Sequence, residues 1–338
     1  MQSIFNNKIA VGTLAAASLF LAACSSDDDV AADGAEGTSG DAARTPAVTT
    51  ATTAADVSET RNAEARLAIS YDGGVMVLDA GDLDAGERPE VLAELPAEGY
   101  LRLNSAGDGR HVFVSTDEGF RVPAHHGIAV LGEDGTYMVT IADDEGDRTG
   151  VAQVDADGKE LKRFEECPGA HGAEESSAGI FVGCSDGGLV YADGKVTKVK
   201  APDEYGRIGN QAGSTESKFV LGDYKSDKKA ADDEELERPE KVSVINAETG
   251  ELKLVDLGTS YTFRSLGMND DGMAVVLDAD GKLHLIDAEQ ANVVKNIDVI
   301  DAWEESEEWQ GPRPALAVNG DVAYVTDPAT KKIHVVDI

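Results

Sequence analysis

From about residue 65 onward the chain is written in short apolar runs broken by Gly, Asp and Asn. Within many runs apolar and polar residues alternate, the period of two expected of strands whose successive side chains point to opposite faces. No stretch sustains the helical period, so an all-β protein is expected. Stacking the runs reveals a repeat. Residues 68–74, 112–117, 137–143, 180–186, 219–223, 274–278 and 323–327 are seven copies of one strand that runs into an acidic turn. Most are followed by another apolar strand ending in a turn residue, as in 75–79, 283–287 and 333–337.

Seven units across the folded part average roughly 39 residues each, the size of a propeller blade. The expected fold is therefore a seven-bladed β-propeller over residues 65–338. A two-sheet sandwich is the alternative, but it would not require so regular a period. Ring closure would protect the edges of strands that have no helical cover.

A ring gives meaning to a second periodicity. Shortly upstream of six repeat strands stands a basic residue or a histidine: Arg102, His126, His171, Arg207, Arg264 and Arg313. In a propeller that point precedes the innermost strand, at one mouth of the channel, and the acidic turns emerge on the same face. His126 and His171 fall in adjacent blades, with Asp117, Glu118 and Asp186 approaching from the surrounding turns. Imidazole with carboxylate at four-coordinate spacing suits Zn²⁺, whereas Ca²⁺ asks for an all-oxygen cage. The candidate metal ligands are His125, His126, His171 and Asp186. The plainer alternative is that these histidines only hydrogen-bond backbone. His284 and His334 occupy matching places in outer strands and read as structural, while His111 falls on the opposite face.

Residues 1–23 form an apolar leader with one lysine, Lys8, ending Leu21-Ala22-Ala23-Cys24. That ending resembles a bacterial lipobox, which would make Cys24 the lipidated first residue of the mature chain and place the protein outside the cytoplasm, held to a membrane by a lipid anchor. An ordinary signal peptide is the alternative. Residues 24–64 carry almost no large apolar side chain and read as an acidic, flexible tether. Setting Cys24 aside, the remaining cysteines, Cys167 and Cys184, form an even pair in an oxidising compartment, which suggests a disulfide. Two thiolate metal ligands are the rival reading.

The formal charge of −35 disfavours nucleic acid and anionic lipid and favours cations and basic partner surfaces. Residues 226–241 insert a mixed charge run into a turn on the histidine face, a solvated loop or a flap over the site. Trp303 and Trp309 stand among glutamates between two blades, where anchoring on the rim is expected. There is no Gly-x-Ser-x-Gly elbow, phosphate-binding glycine loop or His-Glu-x-x-His helix, so no enzyme is expected. A metal-dependent lactonase-like hydrolase and a scaffold whose channel arginines bind an anionic ligand are the alternatives.

Pro123-Ala124-His125-His126-Gly127, Cys167-Pro168-Gly169-Ala170-His171-Gly172 with Cys184 downstream, and Val325-Thr326-Asp327-Pro328 carry a resemblance. On these motifs, residues 66–338 resemble the AztD-type extracytoplasmic zinc metallochaperones. The resemblance implies a propeller that binds Zn²⁺ and delivers it to the solute-binding protein of a zinc ABC importer. A monomer is expected. One departure stands out: residues 25–65 contain no histidine, so the tether lacks the histidine-bearing segment found in such proteins.

Overall fold

How each apolar run is patterned decides where in its sheet it lies. The computed structural model describes residues 66–79, 88–97, 99, 101–105, 112–116, 128–131, 135–143, 145–155, 157–233, 235–308 and 311–338. The leader, the tether, Cys24, His111, Asp117, Glu118, His125, His126 and Trp309 lie outside the described residues, as does the Arg102 side chain.

In chain order the strands are β1 (Arg66–Tyr71), β2 (Gly74–Asp79), β3 (Val91–Pro96), β4 (Leu101–Ser105), β5 (Val112–Thr116), β6 (Ala129–Leu131), β7 (Tyr137–Ala142), β8 (Arg148–Val154) and β9 (Glu160–Phe164). Next come β10 (Ala173–Ser176), β11 (Gly179–Cys184), β12 (Asp186–Ala192), β13 (Lys195–Lys200), β14 (Gly206–Arg207), β15 (Gln211–Gly213) and β16 (Phe219–Asp223). The last are β17 (Lys241–Asn246), β18 (Glu251–Asp256), β19 (Tyr261–Met268), β20 (Met273–Asp278), β21 (Lys282–Asp287), β22 (Asn292–Asp298), β23 (Ala315–Asn319), β24 (Val322–Asp327) and β25 (Lys332–Asp337).

These strands form seven sheets among the described residues: β1 to β3, β4 and β5, β6 to β9, β10 to β13, β15 to β18, β19 to β22, and β23 to β25. Neighbours in sequence pair antiparallel within each sheet, and only the short β14 joins in parallel, against β12. The second strands β11, β16 and β20 are buried almost throughout, and their sequences carry no polar side chain but the closing Asp223 and Asp278 and the Cys184 of the disulfide. The fourth strands β13 and β18 alternate exposed and covered positions, and their sequences alternate to match. Six of the seven repeat runs take the second place in their sheet; the first, in β1, lies at the edge of its three-stranded sheet.

The core lies between sheets rather than inside any one of them. Phe181 and Val190 of the fourth sheet meet Val220 and Ile245 of the fifth. Leu221 and Val244 of the fifth meet Tyr261, Met268 and Val276 of the sixth. Val275 and Leu283 of the sixth meet Ala323 and Val325 of the seventh. The seventh then packs on the first, through Val322 and Tyr324 against Leu67 and Leu78. The first strands β10, β15, β19 and β23 follow one another in contact along this series.

The 226–241 insert holds one short helix, α1 (Lys228–Asp232), which the strand pattern does not announce. Asp227 caps it by accepting from the Ala230 N–H at 3.0 Å, and Lys228 pairs with Asp232 one turn on. The insert leaves from the end of β16, close to the turn that precedes β15, because Asp223 N–H bonds the Asn210 carbonyl and Lys225 pairs with Arg207.

Candidate metal centre

His171 sits on a loop that is fixed on every side before it enters β10. The Cys167–Cys184 disulfide, with Cα atoms 5.0 Å apart and both residues fully buried, ties the loop to the end of β11. Ala170 is buried in the cluster formed by Met138, Val151, Phe164 and Leu189. Backbone bonds complete the attachment: Ser185 N–H to the Pro168 carbonyl, Gly169 N–H to the Arg148 carbonyl, and His171 N–H to the Gly183 carbonyl at 3.0 Å. Gly172 then turns with φ of 73°, and a Cβ there would come within 2.5 Å of the Gly209 carbonyl oxygen. Only glycine lets the loop approach Gly209 so closely.

That approach orients the imidazole. His171 Nδ1 lies 2.7 Å from the Gly209 carbonyl oxygen. A carbonyl only accepts, so Nδ1 carries the proton and the lone pair of the neutral ring is on Nε2, the form a metal takes. Gly209 is itself held by Asp223, a residue 1% exposed. The Gly209 and Asn210 N–H groups donate to Asp223 Oδ1 at 2.6 and 3.1 Å, and Asn210 Nδ2 donates to Oδ2 at 2.9 Å.

Asp186, the candidate carboxylate, is engaged by Lys198, whose Nζ lies 2.6 Å from Oδ1. Among the described residues no group of three or more His, Cys, Asp or Glu side chains is gathered as a metal cage. With His125 and His126 outside the described residues, His171 is the site's one histidine on view. Its donor chemistry, a neutral imidazole oriented by a backbone carbonyl, suits zinc.

The periodically spaced arginines are engaged in different ways. Arg313 is buried in its own loop, 2.6 Å from Glu305 and 5.0 Å from the centre of the Phe263 ring, over which Arg264 also lies at 5.3 Å. Arg207 rests against Gly209. Burial, and then the Arg207 charge, hold the Arg148 guanidinium below its ordinary value. Further along β10, burial pushes the Glu174 carboxyl up to about 8. Beyond Asp223 a cavity of about 150 Å³ opens beneath the insert, lined in part by Lys225, Glu237, Tyr261 and Arg313. Trp303 anchors as expected, its Nε1 donating to the Asp278 carbonyl at 3.0 Å.

The other two described histidines differ in kind. His284 Nε2 lies 2.7 Å from Asp278 Oδ2 in a buried pair, and His334 faces Asp327 at 3.8 Å. Both stand in the third strand of their sheets, as structural repeat positions should.

What the fold and site define is an all-β protein of repeated antiparallel sheets that offers an oriented imidazole on a disulfide-pinned loop. Among curated proteins the chain is similar to the zinc chaperone AztD of Citrobacter koseri, with 28% identity over 226 residues, 64% of this chain and 50% of that protein. The chain thus spans about half the length of the curated relative it matches. The structure of apo AztD from Citrobacter koseri aligns at a TM-score of 0.56 and 22% identity, covering 78% of this chain and 77% of that one. A second Citrobacter koseri AztD crystal structure gives 0.56, 21%, and 78% of each chain. These likenesses support the fold. No family model matches. The resemblance to AztD-type proteins read from the histidine and cysteine motifs is borne out.

Proposed function

We propose that the chain is an extracytoplasmic zinc chaperone: a seven-bladed β-propeller, lipid-anchored through Cys24, that delivers Zn²⁺ to the solute-binding protein of a zinc ABC importer. The seven sheets and the packing of the last on the first support the closed ring. The observation that carries the function is the His171 ring, whose Nδ1 is spent on the Gly209 carbonyl, directing Nε2 to a metal. The similarity to a protein named as a zinc chaperone points the same way.

In this reading His125, His126 and His171 hold the cargo ion, and Asp186 joins them by exchanging Lys198 for the metal, so its share is the weakest. The chaperone acts as a monomer and catalyses no reaction. Transfer is associative, a ligand of the partner displacing one histidine before the others let go, so no free ion is released. The insert over the cavity offers the partner a surface on the same end of the molecule. Acid weakens binding, because each imidazole must be neutral to coordinate.

Competitive zinc titration of residues 24–338 tests the reading. About one tightly bound zinc is expected, with affinity lowered 100-fold or more in His126→Ala and in His171→Ala while circular dichroism stays unchanged. Wild-type affinity in both variants would remove the site. A second reading, a scaffold for an anionic ligand, is favoured by Arg148 and Arg207 flanking the same loop, and a chain that binds phosphate but no zinc would select it.

A further inference from the structure

The turn acid of the fifth sheet has a task that its counterparts in the last two sheets lack. In the sixth and seventh sheets the strand register sets Val276 opposite His284 and Val325 opposite His334. The aspartate two residues further on, Asp278 or Asp327, therefore faces a histidine of its own sheet. In the fifth sheet the matching position, opposite Leu221, is Val244. Asp223 has no histidine there to meet, and its carboxylate turns instead to the Gly209–Asn210 segment that leads into β15.

The peptide group between Gly209 and Asn210 is bonded on both sides. Its N–H donates to Asp223 Oδ1 at 3.1 Å, and its carbonyl accepts from His171 Nδ1 at 2.7 Å. Hydrogen bonds in series polarise one another, so a buried carboxylate on the N–H makes the carbonyl a stronger acceptor. A stronger acceptor fixes the imidazole tautomer and raises the electron density on Nε2. Carboxylate–histidine–metal triads achieve this through direct contact; here a peptide unit stands between. Asp223 is held in turn by its other two bonds, from Gly209 N–H and Asn210 Nδ2.

We infer that Asp223 is a positioning residue for the metal: through the Gly209–Asn210 peptide it orients and polarises the His171 imidazole, so one sheet tunes a ligand carried by the sheet before it. The inference rests on the reading of His171 as a zinc ligand. Loss of an outer-sphere partner of this kind lowers metal affinity roughly 10- to 100-fold.

The test compares Asp223→Asn, His171→Ala and their double variant by competitive zinc titration, with the ring ¹⁵N shifts of His171 followed in the zinc-free protein. Asp223→Asn is expected to weaken zinc binding 10- to 100-fold, to shift the ring toward the Nε2–H tautomer, and to add nothing in the His171→Ala background. Asn210→Ala, which removes only the side-chain bond to Oδ2, is expected to change affinity less than threefold. Asp223→Asn within threefold of wild type, beside a His171→Ala that loses zinc, overturns the inference and leaves the zinc site standing. Unchanged affinity in both overturns the zinc reading itself. If Asp223→Asn fails to fold, the wild-type shifts still decide: an Nε2–H tautomer at neutral pH overturns the relay.

Discussion

His171 and His284 are both oriented by a hydrogen bond, yet the two regions that hold them put the imidazole to opposite uses. On the loop that enters the fourth sheet the ring is partly buried and gives one nitrogen to a backbone carbonyl, a neutral acceptor. In the sixth sheet the ring is 5% exposed and its Nε2 is taken by a carboxylate that is itself almost wholly buried. The first arrangement fixes the Nδ1–H tautomer; the second closes a polar pair inside the fold. What separates the ligand proposed at His171 from the strut at His284 is thus the acceptor and the exposure, not the residue type.

The sharpest break of this contrast is expected at His284. Truncation to alanine strands Asp278 Oδ2 in the interior, where removing one member of a buried pair costs about 3–5 kcal/mol. Asp278 keeps its Oδ1 bond from the Lys282 N–H at 2.7 Å, so the fold is weakened and not abolished. Urea unfolding of His284→Ala should show that loss with zinc affinity unaltered. A variant as stable as wild type, or one that loses zinc, would erase the distinction between the two histidines.

Next in size is the disulfide. Cys167 and Cys184 close a loop of 17 residues, and chain entropy assigns such a bridge about 3 kcal/mol. Reduction, or the double variant Cys167→Ser with Cys184→Ser, should lower the unfolding midpoint accordingly. It should also weaken zinc binding, because Pro168 and His171 are paired to Ser185 and Gly183, the two neighbours of the bridged Cys184. The sixth sheet carries no bridge, so its Asp278–His284 pair should survive reduction. Zinc affinity unchanged on full reduction would mean that the backbone bonds alone hold the loop.

Much of this contrast was legible in the chain, and the remainder was hidden for a physical reason. The strands of the second and third places follow from the apolar runs and from the acidic turns, because burial on one face or two writes itself directly into residue type. The Cys167–Cys184 pairing followed from counting, and the structural role of His284 from its matching place with His334. Asp223 was visible only as one more turn acid. Its link to His171 depends on the register that sets Val244 where other sheets place histidine, and on a peptide group 38 residues from the ring it orients. Asp186 shows the converse: its position at the start of β12 fits a ligand, but the pairing of β12 with β13 brings Lys198 to its carboxylate. Lys198 lies on another strand, so the conflict is invisible to local pattern. The same holds for Arg313, which the spacing aims at the channel and Glu305 retains in its own loop.

The smallest expected effect is also the one that tests whether the Asp–His pairing is a graded property of the repeat. His334 repeats His284 one sheet later, at the same register position, but its Nε2 stands 3.8 Å from Asp327 Oδ2, beyond hydrogen-bonding range, and its side chain is 29% exposed. Asp327 is satisfied without it, accepting from the Ala329 and Thr330 N–H groups and from the Thr330 hydroxyl. The His334 Nε2 is buried yet has no hydrogen-bond partner among the described residues, so His334→Ala gives up no bond there and should cost much less than His284→Ala and leave zinc affinity unchanged. Measured by the same urea unfolding, a loss equal to that of His284→Ala would show that the repeat position itself, and not the closeness and burial of the pair, sets the energy. A loss in proportion to burial would instead explain how a single repeat position can hold a strut in the sixth sheet, a near-spectator in the seventh, and in the fifth a valine that leaves Asp223 to the segment against the His171 loop.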